Sequence, residues 1–459
     1  MKYKFLTYSK PVKSIRTKFR NINTSIPAPG TNKILKHLYL SESRSMQGQL
    51  PIVWKRAKDF AVYDISNNKF IDFTSTIFVA NIGHSNKRLI KYLDKSLKKP
   101  LISTYAYPNE IRAQYHKKLL SFAGKNFQKA FLLSSGSETT EAVLKLMRMY
   151  ADKIKKRKKG IICFEGSWHG RSLGSQMMSG NLKQREWIGY QDANIHHIPF
   201  PYPWKIKKMD PKDFLKQGLN ILKKKNIDIS KDICGFMIET FQGWCSIFYP
   251  KVFIKEIKKI CNRYNILLAF DEMQSGFGRT GKKFGYEHYD VEPDLICCGK
   301  GMGGGIPISG VIGKSKIMDL PEIGDMSSTH SANPLSCSAG LAVIDEIKSK
   351  NLISESKRKG KILLTELEKI KIKFPKIIKH TFGKGLIAAI LFKSMKKPDQ
   401  ANLMASKITE DCMRRGLLVV HTDRESIKIG PPLTISDEAL LEGIQVLKDS
   451  IKYFYENEY

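Results

Sequence analysis

Long apolar runs are missing from this chain of 459 residues. No stretch of about 18 apolar residues occurs, so the sequence excludes an ordinary membrane-spanning helix, and we predict no membrane partner. The basic N-terminus lacks the continuous apolar segment of a secretory signal. Cysteine is also scarce: eight residues are scattered along the chain without a Cys-x-x-Cys pair. This pattern argues against a disulfide framework or a metal site, and it predicts a cytoplasmic location.

Acidic residues are few, with 43 Asp and Glu against 78 Lys and Arg, and the formal net charge is +35. Such an excess is compatible with binding to nucleic acid or to an anionic membrane. The excess is mostly lysine, however, and it is spread along the chain in runs such as 155–159 and 223–225. A solvated lysine-rich surface is the favoured interpretation, and no nucleic-acid partner is predicted.

The middle of the chain alternates helical patterns with short apolar runs. The runs that we predict to be strands are 130–133, 161–164, 236–238, 266–270, 295–298 and 308–312. Most of them lack polar alternation, which is typical of parallel strands buried on both faces. Because helical stretches separate several of them, the sequence predicts an α/β fold with a mostly parallel central sheet between helices.

Both ends of the chain differ from this middle part. Short strands are predicted at 52–54, 60–63 and 70–73, and helices at 339–347, 361–370 and 436–455, the last of which has Ser436 as its cap. We predict three segments: 1–85, which contributes to a small domain, a large domain over 86–340, and a C-terminal small domain over 341–459. The small domain is therefore expected to be built from both chain ends.

A first candidate site lies where the run 130–133 leads into a turn of small residues. Ser135 with Glu138 fits a capping box at the start of a helix. Free backbone N–H groups at Gly136 and Ser137, together with the Ser137 hydroxyl, would suit a phosphate group. An ordinary capped helix is the alternative interpretation.

A second candidate site follows the run 161–164. Trp168 stands at the carboxyl end of a predicted parallel strand, where open α/β sheets bind ligands, and it could stack on a flat ring. Arg171 could bind a carboxylate with two parallel hydrogen bonds. The alternatives are a tryptophan that covers a loop and an arginine in a surface ion pair.

A third candidate is Asp271, an acid at the end of a buried apolar strand, where a charge requires a partner. The glycine pattern at 276–281 reads G-x-G-x-x-G. We reject it as a dinucleotide-binding fingerprint because the next residues do not continue as an apolar-faced helix, and because this is not the first strand of its unit.

The fourth candidate is Lys300, which follows an apolar strand and is surrounded by glycines. A lysine that loses its hydration has a lower proton affinity and can act as a Schiff-base nucleophile. A phosphate site, an aromatic ring, an acid and an amine are together the requirements of pyridoxal 5′-phosphate. We therefore predict this cofactor.

From about residue 50 to 450, the chain resembles the class III, or ω-type, pyridoxal-phosphate-dependent aminotransferases of fold type I, and is similar to their 4-aminobutyrate, acetylornithine and ornithine aminotransferases. The resemblance rests on motifs that occur in the family's order: Ser135-Gly136-Ser137-Glu138, Trp168-His169-Gly170-Arg171, the segment 271–281, Lys300 with its glycines, and Thr329 before Asn333-Pro334.

The family resemblance implies a role for each matching residue. Lys300 would form the Schiff base and move the proton, Asp271 would pair with the ring nitrogen, and Gln274 would lie near the ring 3′-oxygen. The other implied cofactor contacts are Ser135, Gly136 and Ser137 at the phosphate, Trp168 on the ring, Glu239 at a strand end, and Thr329 at the phosphate of the neighbouring subunit. The role of Thr329 implies a homodimer with shared active sites.

Two positions depart from the family pattern. Relatives that use glutamate carry a glutamate where this chain has Trp244, and an arginine for the substrate α-carboxylate where it has Lys428. Arg171 is retained, and in relatives that handle ω-amino acids it binds the distal carboxylate. These three residues are the predicted substrate contacts. The alternative is that Lys428 points to solvent and that Trp244 only fills a loop.

The sequence thus predicts an aminotransferase that moves an amino group from an ω-amino acid or amine to a keto acid or aldehyde. An aminomutase or amino-acid epimerase of the same family is the alternative, because these enzymes need no second carboxylate site. A basic nucleic-acid-binding protein without catalysis is a remote alternative that gives no reason for Lys300, Asp271 and Gln274.

Overall fold

A computed structural model describes residues 3–99, 101–394 and 400–457. Its α-helices are Thr31–Ser41, Ser75–Phe78, Lys87–Leu97, Glu110–Ala123, Gly136–Lys153, Leu173–Met178, Pro211–Lys224, Ile229–Asp232, Lys251–Tyr264, Ser315–Met318, Pro334–Ser349, Leu352–Lys373, Gln400–Arg414 and Asp437–Asn457. Its 3₁₀ helices are Arg44–Met46, Leu182–Ile188, Gly285–Tyr289 and Lys300–Met302. No helix in these described ranges combines the length and the apolar character that a membrane span needs.

The central sheet has seven strands. In spatial order they are Lys129–Leu133, Ser309–Gly313, Leu295–Cys298, Leu267–Asp271, Ile233–Glu239, Gly160–Phe164 and Ile195–Ile198. Ser309–Gly313 runs antiparallel to both of its neighbours, whereas the other strands run parallel to one another. The prediction of an α/β fold with a mostly parallel sheet is therefore confirmed.

Helices cover both faces of this sheet. Leu268 and Phe270 pack into a core that includes Phe253 of the helix Lys251–Tyr264. Their strand neighbours Leu267 and Ala269 point to the opposite face and pack with residues of the helix Gly136–Lys153. Both faces of the sheet are buried, which explains why the sequences of these strands are continuously apolar.

The two chain ends meet in a second, six-stranded sheet. Its strands are Ile15–Arg16, Asn21–Ile22, Lys69–Asp72, Ala61–Asp64, Trp54–Lys58 and Leu417–Leu418. Leu417 pairs in parallel with Ile71, so a C-terminal strand joins the N-terminal segment. A four-stranded antiparallel sheet contains Ile378–Lys384, Ile387–Phe392, Ser426–Ile429 and Val420–His421, and Phe241–Gln242 pairs with Ile247–Phe248. The division of the chain into domains at 85 and 340 stays a prediction.

Local predictions agree with the structure best where apolar character is continuous. The strand Leu295–Cys298 has the predicted bounds, and Ser436 accepts a hydrogen bond from the Ala439 N–H at the start of the last helix. The strand Ile195–Ile198 was not predicted, because its sequence Ile-His-His-Ile carries polar residues at the edge of the sheet. The strand predicted at 52–54 instead begins at Trp54.

Candidate active site

Two of the predicted residues lie at the carboxyl edge of the central sheet because their strands are parallel neighbours. Asp271 is the last residue of its strand and pairs in register with Cys297 on one side and Glu239 on the other. Lys300 follows Leu295–Cys298 after Gly299. The topology therefore brings an amine and two carboxyl groups to one place.

One cavity collects most of the predicted cofactor residues. Those that line it are Ser135, Gly136, Ser137, Trp168, Glu239, Asp271, Gln274 and Lys300. Four predicted residues are not among its lining: Thr329, Arg171, Trp244 and Lys428. The lining also includes residues for which the sequence predicts no role, among them His169 and Met273.

The Asp271 carboxylate is held at both oxygens. Its Oδ1 accepts a hydrogen bond of 3.0 Å from the Met273 N–H. Its Oδ2 lies 3.0 Å from Nδ1 of His169, which is itself buried. Among the described residues, Nε2 of His169 has no hydrogen-bond partner. In the sequence, the position of His169 next to Trp168 was the signal for a role at the site. Its contact with Asp271 leaves no local signal, because the two residues are 102 positions apart.

Lys300 is half-buried and has a left-handed backbone conformation, with φ of 45°. Loss of hydration lowers the pKa of its ammonium group, although the nearby Asp271 carboxylate acts in the opposite direction. A lower pKa increases the neutral fraction of the amine, which is the nucleophilic form. The environment of Lys300 thus suits attack on an aldehyde.

The helix Gly136–Lys153 begins at the cavity. Ser135 caps it, and the Glu138 carboxylate accepts hydrogen bonds from the N–H groups of Ser134 and Ser135. The N–H groups of Gly136 and Ser137 belong to the first turn, which has no intrahelical acceptors. They remain as donors for an anion at the positive end of the helix dipole.

Glu239 connects the sheet edge to the loop that carries Trp168. Its carboxyl group accepts hydrogen bonds from the Trp168 N–H at 3.1 Å and from the Gly243 N–H at 3.4 Å. Burial and the nearby Asp271 charge raise the pKa of Glu239 from 4.5 to about 8. Glu239 is therefore mostly protonated at neutral pH and orients the backbone at Trp168.

The aromatic residues at the site carry cationic neighbours. The exposed Arg171 places its guanidinium 4.4 Å from the centre of the Trp168 ring. Trp244 donates a hydrogen bond from Nε1 to the Tyr202 hydroxyl at 3.2 Å. Arg424 lies 3.9 Å from the centre of the Trp244 ring. Trp168 lines the cavity, whereas Arg171, Trp244 and Arg424 are not among its lining residues.

Lys428 is buried, and its ammonium group contacts two oxygens near the cavity. It donates to the carbonyl of Gly243 and to Oε1 of Gln274, the latter at 2.6 Å. Burial is the largest influence on this group and lowers the pKa of Lys428 from 10.5 to about 7.

The glycine-rich segment after Asp271 has a structural role. Its Arg279 is fully buried and donates hydrogen bonds to the carbonyls of Leu386 and Pro431 and to Oδ1 of Asn81. The segment ties distant parts of the chain together, which agrees with its rejection as a dinucleotide site.

The residues of the cavity fit pyridoxal phosphate. The first turn of the helix offers N–H donors for the phosphate, Asp271 a carboxylate for the pyridine nitrogen, and Lys300 an amine for the aldehyde. Space beside them is limited: a Cβ at Gly170, where φ is 145°, would lie 2.5 Å from the Ser137 hydroxyl oxygen. Among the residues that the structure describes, no His, Cys, Asp and Glu cluster is placed to hold a metal ion.

Comparisons with known proteins agree with this chemistry. A family model described as "Aminotransferase class-III" matches residues 43–451. The acetylornithine aminotransferase of Caldanaerobacter subterraneus is 31% identical over 404 residues, which are 87% of this chain and 94% of that protein. The leucine/methionine racemase of Thermococcus litoralis is 31% identical over 414 residues, or 87% of this chain and 90% of that protein. The crystal structure of acetylornithine aminotransferase from Elizabethkingia anophelis has a TM-score of 0.76 and 27% identity, covering 92% of this chain and 99% of that chain.

Proposed function

The chain belongs to the class III, pyridoxal-phosphate-dependent aminotransferases, and on that premise we propose that its amino donor is an ω-amino acid or an amine. The acceptor is a keto acid or an aldehyde. The observation that carries this proposal is the pair of hydrogen bonds that the Lys428 ammonium group donates to Gly243 and Gln274. Lys428 replaces the arginine with which glutamate-using relatives would bind a carboxylate.

We assign the chemistry to residues of the cavity. Bound pyridoxal phosphate supplies the electron sink of the reaction. The Lys300 amine anchors the cofactor covalently and moves the proton between substrate positions, and Asp271 holds a proton on the ring nitrogen. Gly136 and Ser137 bind the phosphate, Ser135 orders the turn that presents them, and Trp168 covers the ring.

Substrate selection depends on residues around the cavity margin. Arg171 is exposed beside Trp168 and offers a guanidinium to a distal carboxylate. Trp244 replaces a charged residue by a large apolar surface, which favours bulkier or less charged groups. The name of one relative, acetylornithine aminotransferase, agrees with a substrate of this kind.

A screen of amino donors with product identification tests the proposal. Purified holoenzyme is incubated with ω-amino acids, amines, glutamate and alanine, each with pyruvate or 2-oxoglutarate as acceptor. We expect an aldehyde or keto product from ω-amino acids or amines. Exclusive use of glutamate and 2-oxoglutarate would contradict the proposed substrate class.

A racemase or epimerase is the second candidate, because the leucine/methionine racemase is as similar in sequence as the acetylornithine aminotransferase. Such an enzyme needs no acceptor and leaves the amino group on the substrate. Chiral chromatography separates the two functions: a racemase converts an L-amino acid to its D-form without a keto acid present, whereas an aminotransferase releases a keto product.

We also propose a homodimer with shared active sites in the cytoplasm. Thr329 is exposed and lies outside the cavity of its own subunit. Nearby, Asn333 donates a hydrogen bond to the carbonyl of Ile102, and the side chains of Ile102 and Tyr107 are exposed. Exposed apolar side chains in the segment that Asn333 contacts support an interface with a second copy. The cytoplasmic location is supported by the eight cysteines, which are all free and buried.

A further inference from the structure

The amide of Gln274 has a defined orientation. In its protonated form, Lys428 can donate hydrogen bonds but cannot accept them, so the amide atom that meets its ammonium group is the oxygen. Gln274 Oε1 lies 2.6 Å from Nζ of Lys428. The NH₂ end therefore points the other way, and a Cβ built at Gly243 would lie 2.7 Å from it.

The NH₂ group of Gln274 is available to a ligand. Gln274 is half-buried and lines the cavity with Lys300 and Asp271. Within the described part of the chain, no hydrogen bond from its Nε2 to a protein acceptor is found. A polar group at a cavity wall without a protein partner is suited to contact a bound molecule.

Lys428 is rigidly placed for this interaction. It belongs to the strand Ser426–Ile429 and pairs with Ala389 in the antiparallel sheet. Its ammonium group also donates to the Gly243 carbonyl and lies 4.5 Å from the centre of the Phe78 ring. With its donors directed at Gly243 and Gln274, and with no place in the cavity lining, Lys428 acts on the site through its neighbours.

From these contacts we infer that Lys428 is a positioning residue that fixes the Gln274 amide with its N–H group as a donor in the cavity, toward the ring 3′-oxygen of pyridoxal phosphate. This inference rests on the proposed function, because it needs the cofactor in the cavity. A freely rotating amide would present its oxygen part of the time and would repel an anionic ring oxygen. Lys428 thus contributes to cofactor electronics through the Gln274 amide.

The absorbance of the holoenzyme without substrate reports this effect. This absorbance changes with pH, and the pH at which the change is half complete, here called the midpoint, follows the proton shared between the ring oxygen and the Lys300 nitrogen. A hydrogen bond from Gln274 stabilises the deprotonated oxygen and so lowers the midpoint. In Lys428→Met we expect the midpoint to rise by about one pH unit, the scale of one lost hydrogen bond to a charged group. An unchanged midpoint would overturn the inference.

A matched control variant is Lys359→Met. Lys359 is also buried and donates to a backbone carbonyl, that of Leu433, but it does not line the cavity. Its variant should keep the wild-type midpoint. Lys428→Arg retains a donor for Gln274 and serves if the methionine variant does not fold: its midpoint should stay near wild type, and a full-sized rise would count against the inference.

A double-variant cycle tests whether Lys428 acts through Gln274. Gln274→Leu should raise the midpoint as Lys428→Met does, and the double variant should show no additional rise. Additive rises would overturn the inference by showing that Lys428 acts independently. A wild-type protein that binds no pyridoxal phosphate would instead overturn the proposed function and the inference with it, and this appears in the first spectrum.

Discussion

Nδ1 of His169 lies 3.0 Å from Oδ2 of Asp271, and both residues are buried beside the cavity. The His169 backbone is fixed as well, because its N–H donates to the Ser179 hydroxyl at 2.8 Å. The other carboxylate oxygen accepts from the Met273 N–H. Asp271 is therefore held in one orientation, and we predict that His169 acts on the cofactor through Asp271 as a positioning residue.

The first prediction is that replacing His169 weakens turnover less than replacing Asp271. Losing one hydrogen bond to a charged group costs about 1.5–3 kcal/mol, so we expect kcat of His169→Phe to fall roughly tenfold to a hundredfold. Asp271→Asn removes the countercharge of the ring nitrogen and should reduce kcat further. Circular dichroism should match wild type in both variants. Equal kcat in His169→Phe and wild type would contradict the positioning role.

The second prediction is that Lys300 is the covalent anchor. Borohydride treatment of the yellow holoenzyme should fix the cofactor to a peptide that contains Lys300, as identified by mass spectrometry. Lys300→Ala should lose turnover while it still binds the cofactor through the phosphate site. Lys428 is the internal comparison, because it is a second lysine near the cavity. A label on Lys428 or on any other lysine would disprove the assignment.

The sequence was sufficient for features that depend on local composition. Continuous apolar strands that end in Asp271 or lead to Lys300 predicted a parallel sheet with chemistry at one edge, and the structure confirms that sheet. Ser135 and Glu138 form the predicted capping box. In each case the signal lies within a few residues, where the periodicity of burial and the capping of helices determine structure.

Contacts between distant segments could not be predicted in this way. The pairing of His169 with Asp271 and that of Lys428 with Gln274 join residues 102 and 154 positions apart. The sequence allowed Lys428 to point to solvent, whereas the structure buries it. The order of the strands and the packing of the C-terminal sheet bring these residues together, and neither leaves a local pattern in the sequence.

The third prediction concerns stability and pH. Because the pKa of Glu239 is raised from 4.5 to about 8, the folded protein keeps a proton that the unfolded chain releases between these values. The resulting stabilisation is complete below the unfolded pKa and is lost as the pH rises toward 8. Glu239→Gln cannot titrate. The melting temperature of wild type minus that of the variant, both without cofactor, should therefore fall between about pH 5 and pH 6.5.

In this pH interval, the contribution of Glu239 to the stability can also be distinguished from that of Lys428. The pKa of Lys428 is lowered to about 7, so Lys428 stays mostly protonated in both measurements. Its own contribution has the opposite sign, since stability gained from its deprotonation appears only above that value. A difference in melting temperature that is constant or grows across the interval would show that Glu239 is ionised in the folded protein.

The fourth prediction concerns Thr329 and the neighbouring subunit. Sedimentation should show a dimer at working concentrations. Thr329→Val should bind pyridoxal phosphate about tenfold more weakly without loss of the dimer, because one hydrogen bond to a charged phosphate is removed. Cofactor titration followed by absorbance measures the change. A stable monomer with full activity would be incompatible with shared active sites.

The last prediction concerns the choice of substrate. An arginine at position 428 could bind a carboxylate with two parallel hydrogen bonds, whereas lysine is a point charge that here already donates to Gly243 and Gln274. Trp244 presents an apolar ring where glutamate-using relatives carry an acid. We therefore expect wild type to have a higher kcat/KM for ω-amino acids than for glutamate.

The double change Trp244→Glu with Lys428→Arg should shift this ratio of kcat/KM values toward glutamate by about tenfold or more, the value of one charged hydrogen bond. Each single change serves as a control for general damage to the site. A wild-type preference for glutamate, or a ratio that the double change leaves unaltered, would show that these two positions do not determine the substrate.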